Sequence, residues 1–420
     1  MANPKDQLVS QQYEGYPYPA RNPADEKKRL IEGSPSDLAE IRHYLFAGGL
    51  PDTGGEPFRA LIAGGGTGDA AIMLAQHCAA AGLNAEITYL DLSSASRRIT
   101  EERAAVRGLT NLHFVTGSLL DAPSLTPGPF DYIDCCGVLH HLEDPAAGLQ
   151  SLTSVLKPSG GMGLMVYGEY GRRGVYETQE LLRAIAPADL GDPVRIERTK
   201  KLLAKLPKTN WLRRNPFVQD HQAGGDAGVY DLLLHARDRA YTVEAFAAMV
   251  EAAQLQITSF IQPAAYEPET YLDDAELLRP LVGASLVRRA GVAEILAGNM
   301  RKHVLYTTAR PSGTKVTAAI SDPACIPAWH RAEKDTLVKA LRQPSLKVSL
   351  EGFDASFRVP SRAAAVASRI DAQKTIGTIA TELQTADAAL TEDAAAAIVR
   401  DTLELLIGLN LVLLSKPQAN

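Results

Sequence analysis

A run of glycines between an apolar segment and an alanine-rich segment constrains this chain more than any other feature. The run is Gly64-Gly65-Gly66-Thr67-Gly68, and Asp69 follows it. Residues 60–63 before the run predict a short buried strand, and the alanines after it predict a helix. Glycine reaches backbone conformations that other residues avoid and lets a ligand approach the main chain closely. The free N–H groups at the start of the helix would point at a ligand above this turn.

Strand-like and helix-like segments alternate along the chain up to about residue 310. Short apolar segments predict strands over 58–63, 85–90, 111–115, 132–136, 162–167, 255–261 and 303–308. Helical periodicity predicts helices over 69–81, 94–107, 145–156 and 243–253, and we expect Ser36 to cap an earlier helix through Phe46. This alternation predicts an α/β fold in which helices cover both faces of a parallel sheet.

Changes in composition divide the chain into five segments. The segments are an N-terminal strap or lid with a helix (1–57), a ligand-binding core (58–170), a helical insertion (171–240), the completion of the sheet with a second insert (241–310) and a C-terminal accessory domain (311–420). The insertion is rich in Arg and Lys. Apolar periodicity over 376–383 and 392–409 predicts that the accessory domain is small and mainly helical, and a winged-helix-like unit fits this pattern.

Composition narrows the functional classes. The formal net charge of −6 argues against broad nucleic-acid binding, so we expect no nucleic-acid partner. Four cysteines, two of them adjacent at Cys135-Cys136, match neither a disulfide framework nor a CxxC metal pair, and we expect no metal. No apolar run is long enough to span a bilayer, and the polar N-terminus lacks a signal-peptide pattern. We therefore expect a cytoplasmic protein whose C-terminal domain packs against the core or forms a homodimer.

The glycine spacing favours a ligand that lacks a pyrophosphate. A dinucleotide-binding loop reads G-x-G-x-x-G, whereas the glycines here fall at Gly64, Gly66 and Gly68, and Asp69 takes the place of the third glycine. Asp91 ends the next predicted strand, where an acid can bind both hydroxyls of a ribose. The alternative role for Asp91 is to cap the helix that begins at 93–94.

Later strand ends border the same site, because ligands on open α/β sheets bind beyond the carboxyl ends of the strands. The third strand ends before Ser118, where a nucleoside base could lie. The fourth begins at Phe130-Asp131 and ends in Cys135-Cys136-Gly137-Val138-Leu139-His140-His141-Leu142. Leu156-Lys157-Pro158-Ser159-Gly160-Gly161 then forms a tight turn into a strand that ends at Tyr167.

Taken together, these motifs resemble those of class I S-adenosylmethionine-dependent methyltransferases over about residues 58–168. The resemblance implies a Rossmann-like seven-stranded methyltransferase sheet with helical insertions. It also implies S-adenosyl-L-methionine as cofactor and S-adenosyl-L-homocysteine as product. The cofactor contacts that it implies are Ala63, Gly64, Gly65, Gly66, Thr67, Gly68, Asp91, Leu92, Ser118, Leu119 and Cys136.

The sequence is more narrowly similar to a bacterial branch that includes some protein-lysine methyltransferases. The segment 137–145, the N-terminal Tyr16-Pro17-Tyr18-Pro19 and the stretch 167–172 carry this similarity, which implies a protein side chain or a small molecule as methyl acceptor. Ile62 and Ser118 depart from the class I pattern, because many of those enzymes have acids there. Ile62 removes an expected polar anchor for the methionine half of the cofactor, whereas Ser118 can still hydrogen-bond an adenine amino group.

Transfer of a methyl group from a sulfonium requires an aligned nucleophile and the exclusion of water, so a dedicated base is not always needed. An amine acceptor such as lysine, with a reference pKa of about 10.4, must first lose a proton. The catalytic candidates are His140, His141 and Tyr167, and capping or packing is the alternative role for each histidine. The candidates for contact with the acceptor are Tyr16, Tyr18 and Arg172.

Three functions are compatible with the sequence. The leading hypothesis is methyl transfer to a protein side chain or a small-molecule acceptor. The first alternative is a non-catalytic cofactor-binding or scaffolding protein, in which Ile62 and Ser118 would be signs of decay. The second is an NAD-linked enzyme, which Asp69 disfavours.

Overall fold

A seven-stranded sheet forms the centre of the molecule in a computed structural model that describes residues 13–51, 53–311 and 313–417. The strands are β1 (Phe58–Ala63), β2 (Ala85–Asp91), β3 (Leu112–Thr116), β4 (Phe130–Cys136), β5 (Leu156–Tyr167), β6 (Gln256–Ile261) and β7 (Lys302–Thr308). Their order across the sheet is β3-β2-β1-β4-β5-β7-β6. The predicted Rossmann-like sheet is confirmed. Residues 1–12 of the predicted strap and Ser312 of the predicted accessory domain lie outside the described residues.

The sheet is mixed, which corrects the prediction of a parallel sheet. β7 pairs antiparallel with both β5 and β6, while β1 pairs parallel with β2 and β4. An apolar segment predicts that a strand exists, but its direction depends on where the chain re-enters the sheet. Because β7 inserts between two strands that precede it, its direction could not be read from the alternation.

Helices cover both faces of the sheet. The helices up to β5 are α1 (Leu38–Leu45), α2 (Asp69–Ala80), α3 (Ser94–Arg107), α4 (Ala122–Leu125) and α5 (Pro145–Ser154). Successive side chains of a strand point to opposite faces. Leu61 and Ala63 of β1 therefore pack in one core, while Ala60 and Ile62 pack in the other.

The segment between β5 and β6 contains a helical unit with its own hydrophobic core. Its helices are α6 (Val175–Ile185), α7 (Asp192–Lys205), α8 (Trp211–Arg214), α9 (Asp220–Ala223) and α10 (Gly225–Val229), followed by a π-helical turn at Tyr230–Leu234. Tyr16 from the N-terminal segment packs against this core. Three further helices flank the last two strands of the sheet: α11 (Val243–Ala252), α12 (Ala275–Leu278) and α13 (Leu286–Ala297).

The C-terminal segment combines four helices with two small antiparallel sheets. Its strands are β8 (Ile326–Trp329), β9 (Ser345–Leu350), β10 (Phe353–Arg358) and β11 (Val412–Ser415), and its helices are α14 (Lys334–Ala340), α15 (Ala363–Arg369), α16 (Ile376–Ala386) and α17 (Glu392–Gly408). β8 pairs with β11, and β9 pairs with β10. The winged-helix-like arrangement stays a prediction. Within the described ranges, no helix is both long and apolar enough to cross a bilayer.

The cap of helix α1 lies one residue later than predicted. The Asp37 carboxylate accepts from the amide of Ala39 at 2.8 Å, so Asp37 caps the helix. The Ser36 hydroxyl instead donates to Asp134 Oδ2 at 2.8 Å. Ser36 and Asp37 are both residue types that cap helices. Ser36 bonds the buried Asp134 carboxyl group instead, so Asp37 is the cap.

A fully buried carboxylate on α1 joins the C-terminal segment to the core. Glu40 Oε1 accepts from Asn410 Nδ2 at 2.8 Å and from His330 Nε2 at 3.1 Å, and Oε2 accepts from the Tyr306 hydroxyl at 2.9 Å. Burial alone would raise the pKa of Glu40, but the hydrogen bond from His330 and the charge of Arg331 hold it below its ordinary value. Glu40 is therefore an anion that binds donors from three parts of the chain.

Replacing Glu40 with Ala should lower the free energy of unfolding by about 3 kcal/mol, because several buried donors lose their acceptor at once. Urea unfolding at pH 7 measures the change. Glu101 is partly exposed and pairs with Arg97 at 2.7 Å, and it provides the control. Glu101→Ala should cost under about 1 kcal/mol. Equal effects of the two substitutions would contradict the assigned role of Glu40.

Candidate active site

A cavity of about 310 Å³ lies at the carboxyl ends of β1, β2 and β4 and beside the segment that follows β3. Every residue predicted to contact a cofactor lines this cavity except Ala63. The Ala63 side chain faces the core with Leu61, since side chains alternate along β1. Ile62 lines the cavity instead, one residue away from the predicted position.

Gly64 and Gly65 of the loop have no room for a side chain unless their neighbours move. Gly64 has φ +79°, and a Cβ there would lie 2.3 Å from Val138 Cγ2. A Cβ on Gly65 would lie 2.3 Å from the ring of Tyr89. The Tyr89 hydroxyl donates to the Gly66 carbonyl at 2.7 Å. The ring of Tyr89 on β2 thus fixes the shape of the loop that follows β1.

Asp91 connects β2 to the glycine loop. Its Oδ2 accepts from the Gly66 amide at 2.7 Å, and its Oδ1 accepts from the Ser93 amide at 2.8 Å. Ser93 rather than Asp91 caps α3, since the Ser93 hydroxyl accepts from the Ser96 amide. Burial raises the pKa of Asp91, while the two amides oppose the rise. Asp91 therefore lines the cavity as a preorganised acceptor rather than as a helix cap.

Asp69 occupies the position of a dinucleotide loop's third glycine and forms an ion-pair cluster there. Arg21 contacts its carboxylate at 2.5 Å and Arg103 at 2.7 Å. Arg103 is buried and also pairs with Glu26 at 2.7 Å. These charges lower the pKa of Asp69 against the effect of its burial. The first turn of α2 is thereby tied to α3 and to the N-terminal segment.

The N-terminal segment 13–21 forms a strap that lies against the cavity. The Tyr13 carbonyl accepts from the Ser93 hydroxyl at 3.1 Å, and the Pro19 carbonyl accepts from the Thr67 hydroxyl at 2.7 Å. Tyr13, Tyr18 and Pro19 line the cavity. Tyr16 does not line it, because its ring stacks on Tyr230 at 5.0 Å in the helical insertion. The strap therefore bridges the glycine loop and the insertion.

The end of the cavity near the insertion is aromatic and acidic. Tyr13, Tyr18, Tyr167, His141 and Asp231 line it. The Tyr13 hydroxyl donates to Asp231 Oδ1 at 3.4 Å. Burial and the nearby Asp238 raise the pKa of Asp231 to about 7. A cationic group that entered the cavity would favour the ionised form of this carboxyl group.

His140 and Arg172, two of the predicted site residues, pack against the ring of Tyr167. The His140 ring lies 4.0 Å from the Tyr167 ring, and the Arg172 guanidinium lies 3.6 Å from its centroid. Arg172 also pairs with Asp238 at 3.1 Å. Neither His140 nor Arg172 lines the cavity, whereas Tyr167 does. Both ring nitrogens of His140 are buried without a partner among the described residues, and burial holds its pKa well below the ordinary value.

His141 faces the cavity as a neutral imidazole. Its Nδ1 lies 2.8 Å from the Arg237 carbonyl, which can only accept, so the proton is on Nδ1 and the lone pair on Nε2. Burial keeps its pKa below the ordinary value. The ring stacks on His235 at 3.8 Å. The His141 Nε2 lone pair is therefore an acceptor for a proton.

His141, Asp231 and His235 bring potential metal-ligand atoms within 4.8 Å of one another. The Arg237 amide donates to His235 Nδ1 at 3.0 Å, so the proton of the neutral ring is on Nε2, which lies 3.2 Å from the Tyr13 hydroxyl. A metal ion binds a ring nitrogen through its lone pair. In His235 the lone pair of Nδ1 already accepts from the Arg237 amide, and Nε2 carries the proton. The geometry favours a hydrogen-bonded group over a metal centre.

Sequence reasoning missed four residues of this site: Tyr13, Asp134, Asp231 and His235. The sequence carries a signal only for Asp134, which is an acid within the mainly apolar strand β4. The others are brought to the cavity by long-range packing. Cys136 lines the cavity, and burial raises the pKa of its thiol to about 12, so it is a protonated part of the wall.

Comparison with known proteins agrees with this geometry. Residues 61–162 match the family model described as a methyltransferase domain. An uncharacterized protein of Synechococcus sp. is 33% identical over 286 residues, which cover 65% of this chain and 64% of that protein. The tRNA 5-carboxymethoxyuridine methyltransferase of Escherichia coli is 32% identical over 123 residues, which cover 29% of this chain and 45% of that protein. The chain thus spans less than two thirds of the length of either relative.

The solved structure of PKMT2 from Rickettsia typhi is similar across most of the fold. It superposes with a TM-score of 0.63 at 15% identity, covering 91% of this chain and 76% of that chain. The same protein in complex with AdoHcy gives a TM-score of 0.61. At this identity the likeness establishes the fold. Residues 61–162 thus match a methyltransferase domain, and the sheet order and the structural likeness show that the chain has the corresponding fold.

Proposed function

We propose that this protein transfers a methyl group from S-adenosyl-L-methionine to an amine, with a lysine side chain of a protein as the acceptor. The observation that carries the proposal is the difference between the two ends of the cavity. One end consists of the glycine loop and Asp91, and the other end consists of tyrosines and the buried Asp231. The first end suits a nucleoside, and the second suits a cationic group next to aromatic rings.

The residues at the first end match the needs of the cofactor. Asp91 keeps acceptor capacity for ribose hydroxyls, since each carboxylate oxygen uses only one lone pair on the protein. Ser118 lines the cavity beyond β3, where its hydroxyl can bond an adenine edge. The bound cofactor supplies an electrophilic methyl group on a positively charged sulfur.

The residues at the second end can receive and deprotonate an ammonium group. An entering ammonium would lower the pKa of Asp231 from about 7 and convert it to a carboxylate that orients the nitrogen. Asp231 or the Nε2 of His141 then accepts the proton, which leaves the nitrogen lone pair free for in-line attack. Tyr13, Tyr18 and Tyr167 shield this step from water.

The outer surface of the insertion supports a macromolecular acceptor. Residues 192–214 carry eight basic and two acidic side chains, a net charge of +6 in a chain whose net charge is −6. Trp211 in this segment is 55% exposed. A protein with acidic residues around the acceptor lysine would complement both the basic surface and the acidic cavity end. An anionic acceptor group would instead be repelled by the carboxylate of Asp231.

Purified protein incubated with radiolabelled S-adenosyl-L-methionine and a bacterial lysate should label protein bands that withstand nuclease treatment. Acid hydrolysis of those bands should release methylated lysine. Label confined to RNA or to the small-molecule fraction would contradict the acceptor. Absence of label from all fractions would support the non-catalytic alternative.

Replacing Asp91 with Ala should weaken the binding of S-adenosyl-L-homocysteine by about 10- to 100-fold, because hydrogen bonds to a charged acceptor are lost and the Gly66 amide loses its partner. Isothermal titration calorimetry measures this effect. Asp121→Ala is the matched control, since Asp121 is exposed and does not line the cavity. Unchanged affinity in the Asp91 variant would remove Asp91 from the cofactor site.

Replacing Asp231 with Asn should reduce kcat/KM for the amine acceptor by about 100-fold, because the amide neither pairs with an ammonium nor takes its proton. The affinity for S-adenosyl-L-homocysteine should stay within about twofold of the wild type. Asp226→Asn is the control, as Asp226 lies in the same insertion but pairs with Lys200 at the surface. An Asp231 variant with wild-type turnover would exclude this carboxylate from catalysis.

A further inference from the structure

A second buried carboxylate, on β4, lines the cavity beside β1. Asp134 is 2% exposed and belongs to the cavity wall. Its Oδ2 accepts from the Ser36 hydroxyl at 2.8 Å. No ion pair to Asp134 occurs within the described residues. Burial raises its pKa to about 7, and only the Ser36 hydroxyl and the Cys136 amide act against the rise.

A buried carboxyl group without a cationic partner is costly, so its retention at a cavity wall calls for an explanation. Its neighbours along the wall include Ile62, Cys136 and Met165, which offer no charge to compensate it. Packing alone would be served better by an apolar side chain, and the other buried carboxylate of β4, Asp131, has a cationic partner in Lys157. The carboxyl group therefore suits a positively charged ligand group in the cavity.

The sheet order indicates which ligand group would come near Asp134. β1 lies between β2, which ends in Asp91, and β4, which carries Asp134. A ligand whose ribose binds at Asp91 and which extends across the glycine loop therefore reaches β4. In S-adenosylmethionine the part beyond the ribose is an amino acid, whose α-ammonium is a cation.

The register places Asp134 directly beside the residue that breaks the family pattern. Ile62 on β1 and Asp134 on β4 are Cα partners in the parallel ladder, and both side chains line the cavity. We infer that Asp134 binds the α-ammonium group of S-adenosylmethionine and that this chain carries on β4 the anchor which Ile62 lacks on β1. This inference rests on the proposed cofactor site and adds a specific binding group to it.

The test compares two ligands that differ at the amino-acid end. S-adenosyl-L-homocysteine carries the α-ammonium, whereas 5′-methylthioadenosine keeps the nucleoside and the thioether without it. In calorimetric titration, Asp134→Asn should weaken the binding of S-adenosyl-L-homocysteine by about 10- to 100-fold. The affinity for 5′-methylthioadenosine should stay within about twofold of the wild type. The Asn side chain can still accept from Ser36, which favours a folded variant.

Asp131→Asn is the matched control, because Asp131 lies on the same strand but pairs with Lys157 at 2.9 Å and does not line the cavity. It should change neither affinity. If Asp134→Asn weakens the binding of both ligands equally, or weakens the binding of neither, the inference is overturned.

A measurement on the wild-type protein avoids any dependence on a folded variant. The α-deaminated analogue of S-adenosyl-L-homocysteine should bind about 10- to 100-fold more weakly than the parent compound. Equal binding of the two compounds would overturn the role of Asp134 while leaving the proposed function intact. Failure of the wild type to bind any of these nucleosides would overturn both.

Discussion

The contact between the glycine loop and β2 is the constraint on which the rest of the site depends. The Tyr89 ring occupies the space that a Cβ on Gly65 would need, and the Tyr89 hydroxyl and Asp91 carboxylate bond the carbonyl and amide of Gly66. The loop is therefore shaped by the neighbouring strand rather than by its own sequence alone. Its geometry exists before a ligand arrives, which reduces the entropy lost on binding.

Ion pairs connect the residue that follows the glycine loop to other segments of the chain. Asp69 at the start of α2 is held by Arg21 and Arg103, and Arg103 is in turn held by Glu26. A similar hub at Glu40 joins the C-terminal segment to α1 and β7. In both places one carboxylate accepts from donors in distant parts of the chain, and that of Glu40 is fully buried.

Features that depend on local sequence were predictable. β1 and α3 begin and end at the predicted residues, because apolar runs and caps are local signals. The strand-end position of Asp91 followed from the spacing after the glycine loop. The side-chain alternation of β1 assigns the cavity to Ile62 rather than Ala63, a difference of one residue that patterning does not resolve.

Features that depend on long-range packing were not predictable. Asp231 and His235 come from the insertion, and Tyr13 comes from the strap, yet all three meet next to Tyr167. The direction of β7 likewise depends on where the chain re-enters the sheet. His140 and His141 are adjacent in sequence, but only His141 lines the cavity, since consecutive side chains of this turn diverge.

The strap of residues 13–21 has a kinetic consequence. Its carbonyls bond Ser93 and Thr67 beside the cofactor end, while Tyr13 contributes to the wall at the acceptor end. One continuous segment therefore borders both ends of the cavity. Under the proposed function, exchange of the nucleoside would require displacement of a wall that the acceptor also uses. Under the proposed function, this arrangement would favour an ordered mechanism in which the nucleoside binds first and leaves last, so that S-adenosyl-L-homocysteine would inhibit turnover.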